Sequence, residues 1–168
     1  MISKEAIKRG YNRGNYVVGA HTPPAYAAGL TQAGTEPGLQ RDPVSVSAAQ
    51  VEALRAAADE VLTTTADAVA WTRDWWAGSM MTETAGRPAT PHAVIVKVST
   101  VEQVQAVMRI AHAAAIPVTV SAGRSNVTGA ALPLRGGIVL DVCQLNRFIG
   151  IDRESQIVEV EAGMFGDV

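Results

Sequence analysis

The residues best suited to chemistry lie in one short stretch, Ser121-Ala122-Gly123-Arg124-Ser125-Asn126-Val127-Thr128-Gly129. Most of its side chains are too small to keep a ligand away from the main chain, so successive N–H groups can converge on the oxygens of an anion. Ser125 and Thr128 add hydroxyl donors, Asn126 adds an amide, and Arg124 could make a charge-assisted bond to a phosphate. The chemistry on offer is therefore the binding of a phosphate or diphosphate. The familiar phosphate loops do not fit. A Walker A loop needs four residues between its glycines and then a lysine; here five separate Gly123 from Gly129, and Ala130 follows. A Rossmann fingerprint would need glycine where Ser125 stands. On composition alone, an ordinary strand-to-helix connection is the stronger reading.

Other reactive groups are scattered. The single cysteine, Cys143, follows an apolar run and reads as a small packing residue. His21, His92 and His112 lie far apart, without zinc-ligand spacing. Trp71, Trp75 and Trp76 fall within one short segment, Trp71-Thr-Arg-Asp-Trp-Trp76. Such a cluster can line a ligand face, but it more often anchors a linker to a core. Asn126-Val127-Thr128 is a glycosylation sequon, read as chance because Met1-Ile-Ser-Lys-Glu-Ala-Ile-Lys8 is charged and lacks the apolar centre of a secretory signal. A cytoplasmic protein is expected.

The elements that must hold the Ser121–Gly129 stretch can be read from periodicity. Ala93-Val-Ile-Val-Lys-Val98 is a nearly continuous apolar run, as in a strand covered on both faces. Ser99 or Thr100 caps a helix to about Ala115, with Val101, Val104, Met108, Ala111 and Ala115 inward. Ile116–Val120 and Gly137–Asp141 read as a second and a third strand. Strand, helix, strand makes a βαβ unit with its first two strands parallel. Phe148–Asp152 and Gln156–Glu161 flank Arg153-Glu154-Ser155 and read as an antiparallel hairpin, with Val158 and Val160 alternating with Glu159 and Glu161 so that one face is wet. Upstream, Ser47 and Gln50 form a capping box for a helix carrying Val51, Leu54, Ala58, Val61 and Leu62 on one face. The fold expected is α+β: a small parallel βαβ unit with flanking helices, followed by the start of an antiparallel sheet. The expected divisions are an irregular N-terminal arm over 1–46, a helical and Trp-rich linker over 47–91 with a loop at Ala85–Pro91, and the remainder over 92–168.

The ordered run of pieces from Ile116 to Gly129, then Ala130-Ala-Leu-Pro133, Gly136–Asp141, Leu145-Asn-Arg147, Ile151-Asp152 and Val158–Gly163 resembles the FAD-binding domain of the vanillyl-alcohol oxidase/p-cresol methylhydroxylase superfamily. The branch it resembles most contains alkyldihydroxyacetonephosphate synthase, glycolate oxidase subunits and D-lactate dehydrogenases; the Trp71–Trp76 segment is similar to one in bacterial FAD-linked oxidases of that branch. The resemblance covers 92–168 well, 47–81 loosely, and the first forty-odd residues not at all. It implies that Ser121 to Asn126 wrap the FAD diphosphate with main-chain amides and that Val127 to Gly129 close the loop. The family commonly has small residues, mostly glycine, where this chain has Ala122, Gly123 and Arg124. Arg124 would either brace the diphosphate or crowd it. No histidine stands in the loop to attach a flavin covalently, so the implied FAD is non-covalent.

The resemblance also implies what 168 residues leave out, namely the remaining FAD contacts and the substrate domain of an oxidoreductase acting on a hydroxy acid or related small molecule. A fragment, a truncated product or one piece of a split protein is the expectation, with a stand-alone diphosphate-binding module or a ligand-free remnant as the alternatives. A net charge of -2 and a pI near 5.9 argue against a nucleic-acid partner. A mean hydropathy of +0.12 comes largely from alanine, and no stretch reaches the roughly 20 apolar residues of a membrane span.

Overall fold

The structure, a computed structural model, describes residues 42–72, 74–84, 90 and 92–165. Most of the expected N-terminal arm and most of the Ala85–Pro91 loop lie outside the described residues.

Helix α1 (Ala48–Ala57) starts where the capping box places it: the Ser47 hydroxyl accepts from the Gln50 N–H, and the Gln50 side chain accepts from the Ser47 N–H. It ends earlier than its apolar pattern suggests. Ala58 is extended, and Glu60–Leu62 form strand β1, so Val61 and Leu62 are strand residues and not part of the helix face. The reason is twofold. The Val-Leu-Thr-Thr-Thr run is rich in β-branched residues, which lose rotamer freedom in a helix. In addition, the neighbouring strand offers an open edge of N–H and C=O groups that β1 satisfies. Thr64 caps helix α2 (Thr65–Trp71) with Asp67 completing the reciprocal box, and α3 (Ala77–Thr84) follows.

Strands β2 (Val94–Lys97) and β4 (Ile138–Asp141) lie where the apolar runs place them; β3 (Val118–Ser121) starts two residues later than Ile116, after Pro117, which has no N–H for a ladder, and it takes in Ser121, the first residue of the expected loop. Helix α4 (Val101–Ala113) joins β2 to β3, capped by Thr100 and Gln103. The sheet order is β1-β2-β4-β3. Strands β2 and β3 both run parallel to β4, which lies between them, and β1 closes the β2 edge antiparallel. Every residue of β4 is buried.

Two layers cover the sheet. On one face, α1 and α4 pack together so that Leu54, Val107 and Ala111 meet Val96, Ile138 and Leu140. On the other, Ile95 and Val139 lie beneath α2, whose Ala68 and Val69 are buried. The inward side of α4 is thus set by Val104, Val107 and Ala111. Val101 and Met108 are half-exposed and Ala115 is exposed, because α1 occupies only the side of α4 turned toward Leu54.

Gly136 and Gly137 take φ of +66° and +73° at the turn into β4, and a Cβ on Gly137 would overlap the Pro117 carbonyl oxygen. Cys143 is buried, as a packing residue should be. Strands β5 (Phe148–Asp152) and β6 (Ile157–Val160) form a separate antiparallel ribbon. It has no dry face among the described residues: Val158 and Val160 are 53% and 41% exposed, and Phe148, Ile149, Ile151 and Ile157 are more than half exposed. The expected inward side of the hairpin therefore has no element packed over it. Among the described residues, no helix is long and apolar enough to cross a membrane.

Candidate cofactor-binding site

Strand register builds the floor of the site. The last residues of the three parallel strands, Lys97, Asp141 and Ser121, stand abreast, and Glu60 of β1 extends the row. Because side chains alternate along a strand, these four share the α2 face with Ile95 and Val139. They sit at the carboxyl ends of the parallel strands, where open α/β sheets place ligands.

The row is tied together through Trp71, at the end of α2. Its indole N–H donates to Asp141 Oδ2 at 2.6 Å, and Asp141 Oδ1 accepts from the Cys143 N–H at 3.0 Å. Lys97 Nζ lies 4.3 Å from the Trp71 ring and 2.6 Å from Glu60 Oε2. A buried carboxylate group needs such hydrogen-bond partners. Trp71 was read from the sequence only as part of the tryptophan cluster, and Lys97 and Asp141 were not singled out. The available signals were a lysine and an aspartate interrupting otherwise apolar strand runs.

Above the row lies the loop that continues from Ser121 to Gly129. Ser121 is 2% exposed, and its hydroxyl has no hydrogen-bond partner among the described residues. Arg124 is 3% exposed. Its Nη1 donates to the Trp71 carbonyl oxygen at 2.5 Å, and its guanidinium carbon lies 5.0 Å from the Trp71 ring. Its φ is +53°, a conformation that costs a non-glycine residue about 1 kcal/mol or more. Asn126 organises the next turn: its Oδ1 accepts from the Thr128 N–H, the Thr128 hydroxyl and the Ala130 N–H at 3.1–3.2 Å. The Thr128 hydroxyl is thus engaged within the loop, whereas Ser125 is exposed. This local turn is a sufficient physical reason for Asn and Thr at the sequon spacing.

The tryptophan segment grips the loop from outside. The Trp75 N–H donates to the Asn126 carbonyl at 3.0 Å, and the Trp76 ring lies against Gly129, whose φ is +78°. A Cβ on Gly129 would stand 3.1 Å from that ring. A Cβ on Gly123 would stand 3.1 Å from the Phe165 ring. The three tryptophans thus serve as an anchor.

These contacts leave much of the loop's main chain uncommitted. The N–H groups of Gly123, Ser125, Asn126 and Val127 find no acceptor among the described residues. Unpaired amides clustered at a strand end, beside a buried hydroxyl without a partner, are what a bound anion would satisfy. The residues present therefore fit a diphosphate-bearing cofactor. No group of three or more His, Cys, Asp or Glu that could hold a metal occurs among the described residues.

Comparison with known proteins agrees with this geometry. Residues 91–167 match the family described as FAD binding domain. The chain is 31% identical over 71 residues to a D-lactate dehydrogenase of Anaerostipes hadrus, covering 42% of this chain and 15% of that enzyme. It is 42% identical over 76 residues to the flavoprotein subunit of 4-cresol dehydrogenase (hydroxylating) of Pseudomonas putida, covering 44% of this chain and 15% of that subunit. A solved structure of alkyldihydroxyacetonephosphate synthase superposes with a TM-score of 0.63 at 21% identity, over 80% of this chain and 27% of that one, which shows a shared fold. The chain thus spans only a small part of each relative. Sequence match and sheet topology converge on the same part of the chain: residues 91–167 match the FAD binding domain family, and the chain shares the fold of alkyldihydroxyacetonephosphate synthase.

Proposed function

We propose that Ser121–Gly129 holds the diphosphate of a non-covalently bound FAD through main-chain amides, and that the chain serves as the cofactor-holding part of an FAD-linked oxidoreductase acting on a hydroxy acid or related small substrate. The observation that carries the site is the set of uncommitted N–H groups at Gly123, Ser125, Asn126 and Val127, at the carboxyl end of β3. The substrate class rests on the likeness to a D-lactate dehydrogenase. The absence of histidine between Ser121 and Gly129 supports non-covalent attachment. When bound, FAD supplies the two-electron chemistry. The residues of this chain contribute binding and orientation: the loop amides meet negative charge, and the Trp71–Asp141 bond keeps the loop floor rigid.

Titration of the purified chain with FAD, followed by quenching of flavin fluorescence, tests the site. Saturable binding is expected, with ADP competing because it carries the same diphosphate, and riboflavin failing to compete because it carries none. Gly123→Val should weaken FAD by about tenfold, since a branched side chain obstructs approach to the backbone. The Phe165 ring is the first atom group that side chain would meet. Adding Phe165→Ala should therefore leave most of the loss in place if ligand approach is what Gly123 protects. Unchanged affinity in Gly123→Val, or competition by riboflavin equal to that by ADP, would refute the loop assignment.

A further inference from the structure

Three contacts tie the loop to the segment before β2: the Arg124 guanidinium on the Trp71 carbonyl, the Asn126 carbonyl on the Trp75 N–H, and Gly129 under the Trp76 ring. The first differs in kind. A backbone that merely needed φ near +53° at residue 124 would be served by glycine. Arginine there folds its side chain inward until only 3% of the residue is exposed, onto a tryptophan that is itself fixed by Asp141 at 2.6 Å and faced by Lys97 at 4.3 Å. The planar guanidinium is well suited to stacking on an indole while donating to a carbonyl, which an ammonium does less well.

We propose that Arg124 is a positioning residue for the cofactor: acting through Trp71, it holds the loop in the conformation that presents the neighbouring amides, and its guanidinium does not contact phosphate. The proposal rests on the diphosphate reading above, and it reverses the simplest expectation for an arginine in such a loop. Trp71 is then the hub through which the end of α2, the carboxyl end of β4 and the loop share one geometry.

A double-mutant cycle on the whole 168-residue chain tests it, with FAD and ADP as probes and thermal melts to confirm folding. Arg124→Ala and Trp71→Leu should each weaken both ligands by about tenfold, and the double variant should bind no more than about threefold worse than the weaker single variant, because both remove the guanidinium–indole contact, while the Trp71 main-chain carbonyl that Arg124 reaches is kept in Trp71→Leu. Arg124→Lys should not restore binding, since it keeps the charge and loses the fork. If Trp71→Leu fails to fold, Trp71→Phe, which removes only the donor to Asp141 and part of the ring, takes its place in the cycle. Losses that multiply in the double variant, or recovery to within about threefold in Arg124→Lys, would show the guanidinium on phosphate and overturn the proposal. Wild-type affinity in Arg124→Ala would overturn it as well. Failure of the unaltered chain to bind either FAD or ADP would instead remove the diphosphate reading on which it rests.

Discussion

Strands β4 and β6 look alike in sequence, Ile138-Val-Leu-Asp141 against Ile157-Val-Glu-Val160, yet every residue of the first is buried and every residue of the second is exposed. The difference lies in what surrounds them. Strand β4 has a hydrogen-bonded neighbour on each edge, α1 and α4 on one face and α2 on the other. Strand β6 has one neighbour, β5, and nothing over either face among the described residues. An apolar run specifies a wish for burial; only neighbours grant it. The same contrast separates the two groups of polar residues. Asp141, at the end of β4, is fixed by Trp71 and the Cys143 N–H. Glu161, just past β6, is held by an arginine whose own side chain is 74% exposed.

The comparison can be broken or sharpened by substitution. The largest effect should come from Gly137→Val, which forces a side chain into a backbone of φ +73° and against the Pro117 carbonyl. Loss of cooperative unfolding is expected in a thermal melt, and a melt like that of the unaltered chain would mean that the turn into β4 is not the tight junction described. Next, Leu140→Ala removes a side chain that is 1% exposed and should destabilise by about 2–5 kcal/mol. Ile157→Ala removes one that is 60% exposed and should stay within about 0.5 kcal/mol. Denaturant midpoints measure both, and equal costs would show that the ribbon is packed after all. Hydrogen exchange should divide the molecule in the same way, with β4 amides opening only near the global limit and β5–β6 amides exchanging much sooner.

The smallest effect is a pH response confined to the ribbon. Glu161 is held below the usual carboxylate range, chiefly by the side-chain hydrogen bond from Arg147, and Asp152 is lowered, chiefly by hydrogen bonds from Ser155. A lowered folded-state value means that each group favours the folded ribbon above its unfolded value, and that this contribution is lost as pH falls through the folded one. The Arg147 amide, which donates to Glu161 Oε2 at 2.8 Å, should therefore shift in NMR spectra only below the ordinary carboxylate range. Glu161→Gln should abolish the shift, and a shift that persists would assign it elsewhere. The β4 amides should not follow it.

Much of this was legible from residues alone, for reasons specific to each element. The helix start at Ser47 was readable, and the next was narrowed to Ser99 or Thr100, of which Thr100 is the cap, because capping is local chemistry between residues three apart. The strands of the βαβ unit were readable because burial on both faces leaves a continuous apolar run. The position of the loop at the end of β3 was readable because a run of small and polar residues closes an apolar strand. The end of α1 was not legible, since whether Val61 continues a helix or joins a sheet depends on β2 offering an edge. The inward side of α4 was not legible either, because Val101 and Val107 are equally apolar and only the position of α1 decides between them. Arg124 was the sharpest ambiguity: an arginine in a small-residue loop reads equally as a ligand and as an obstacle.

The sequence by itself determined which segments could be helix, strand or turn, because capping, alternation and side-chain size act over a few residues. Tertiary structure alone decided that Lys97, Asp141 and Ser121 stand in one row, that Arg124 turns inward onto Trp71, and that one apolar ribbon stays wet while another is sealed. Each of those outcomes depends on a partner 20 or more residues away along the chain, and no local preference encodes which partner will arrive.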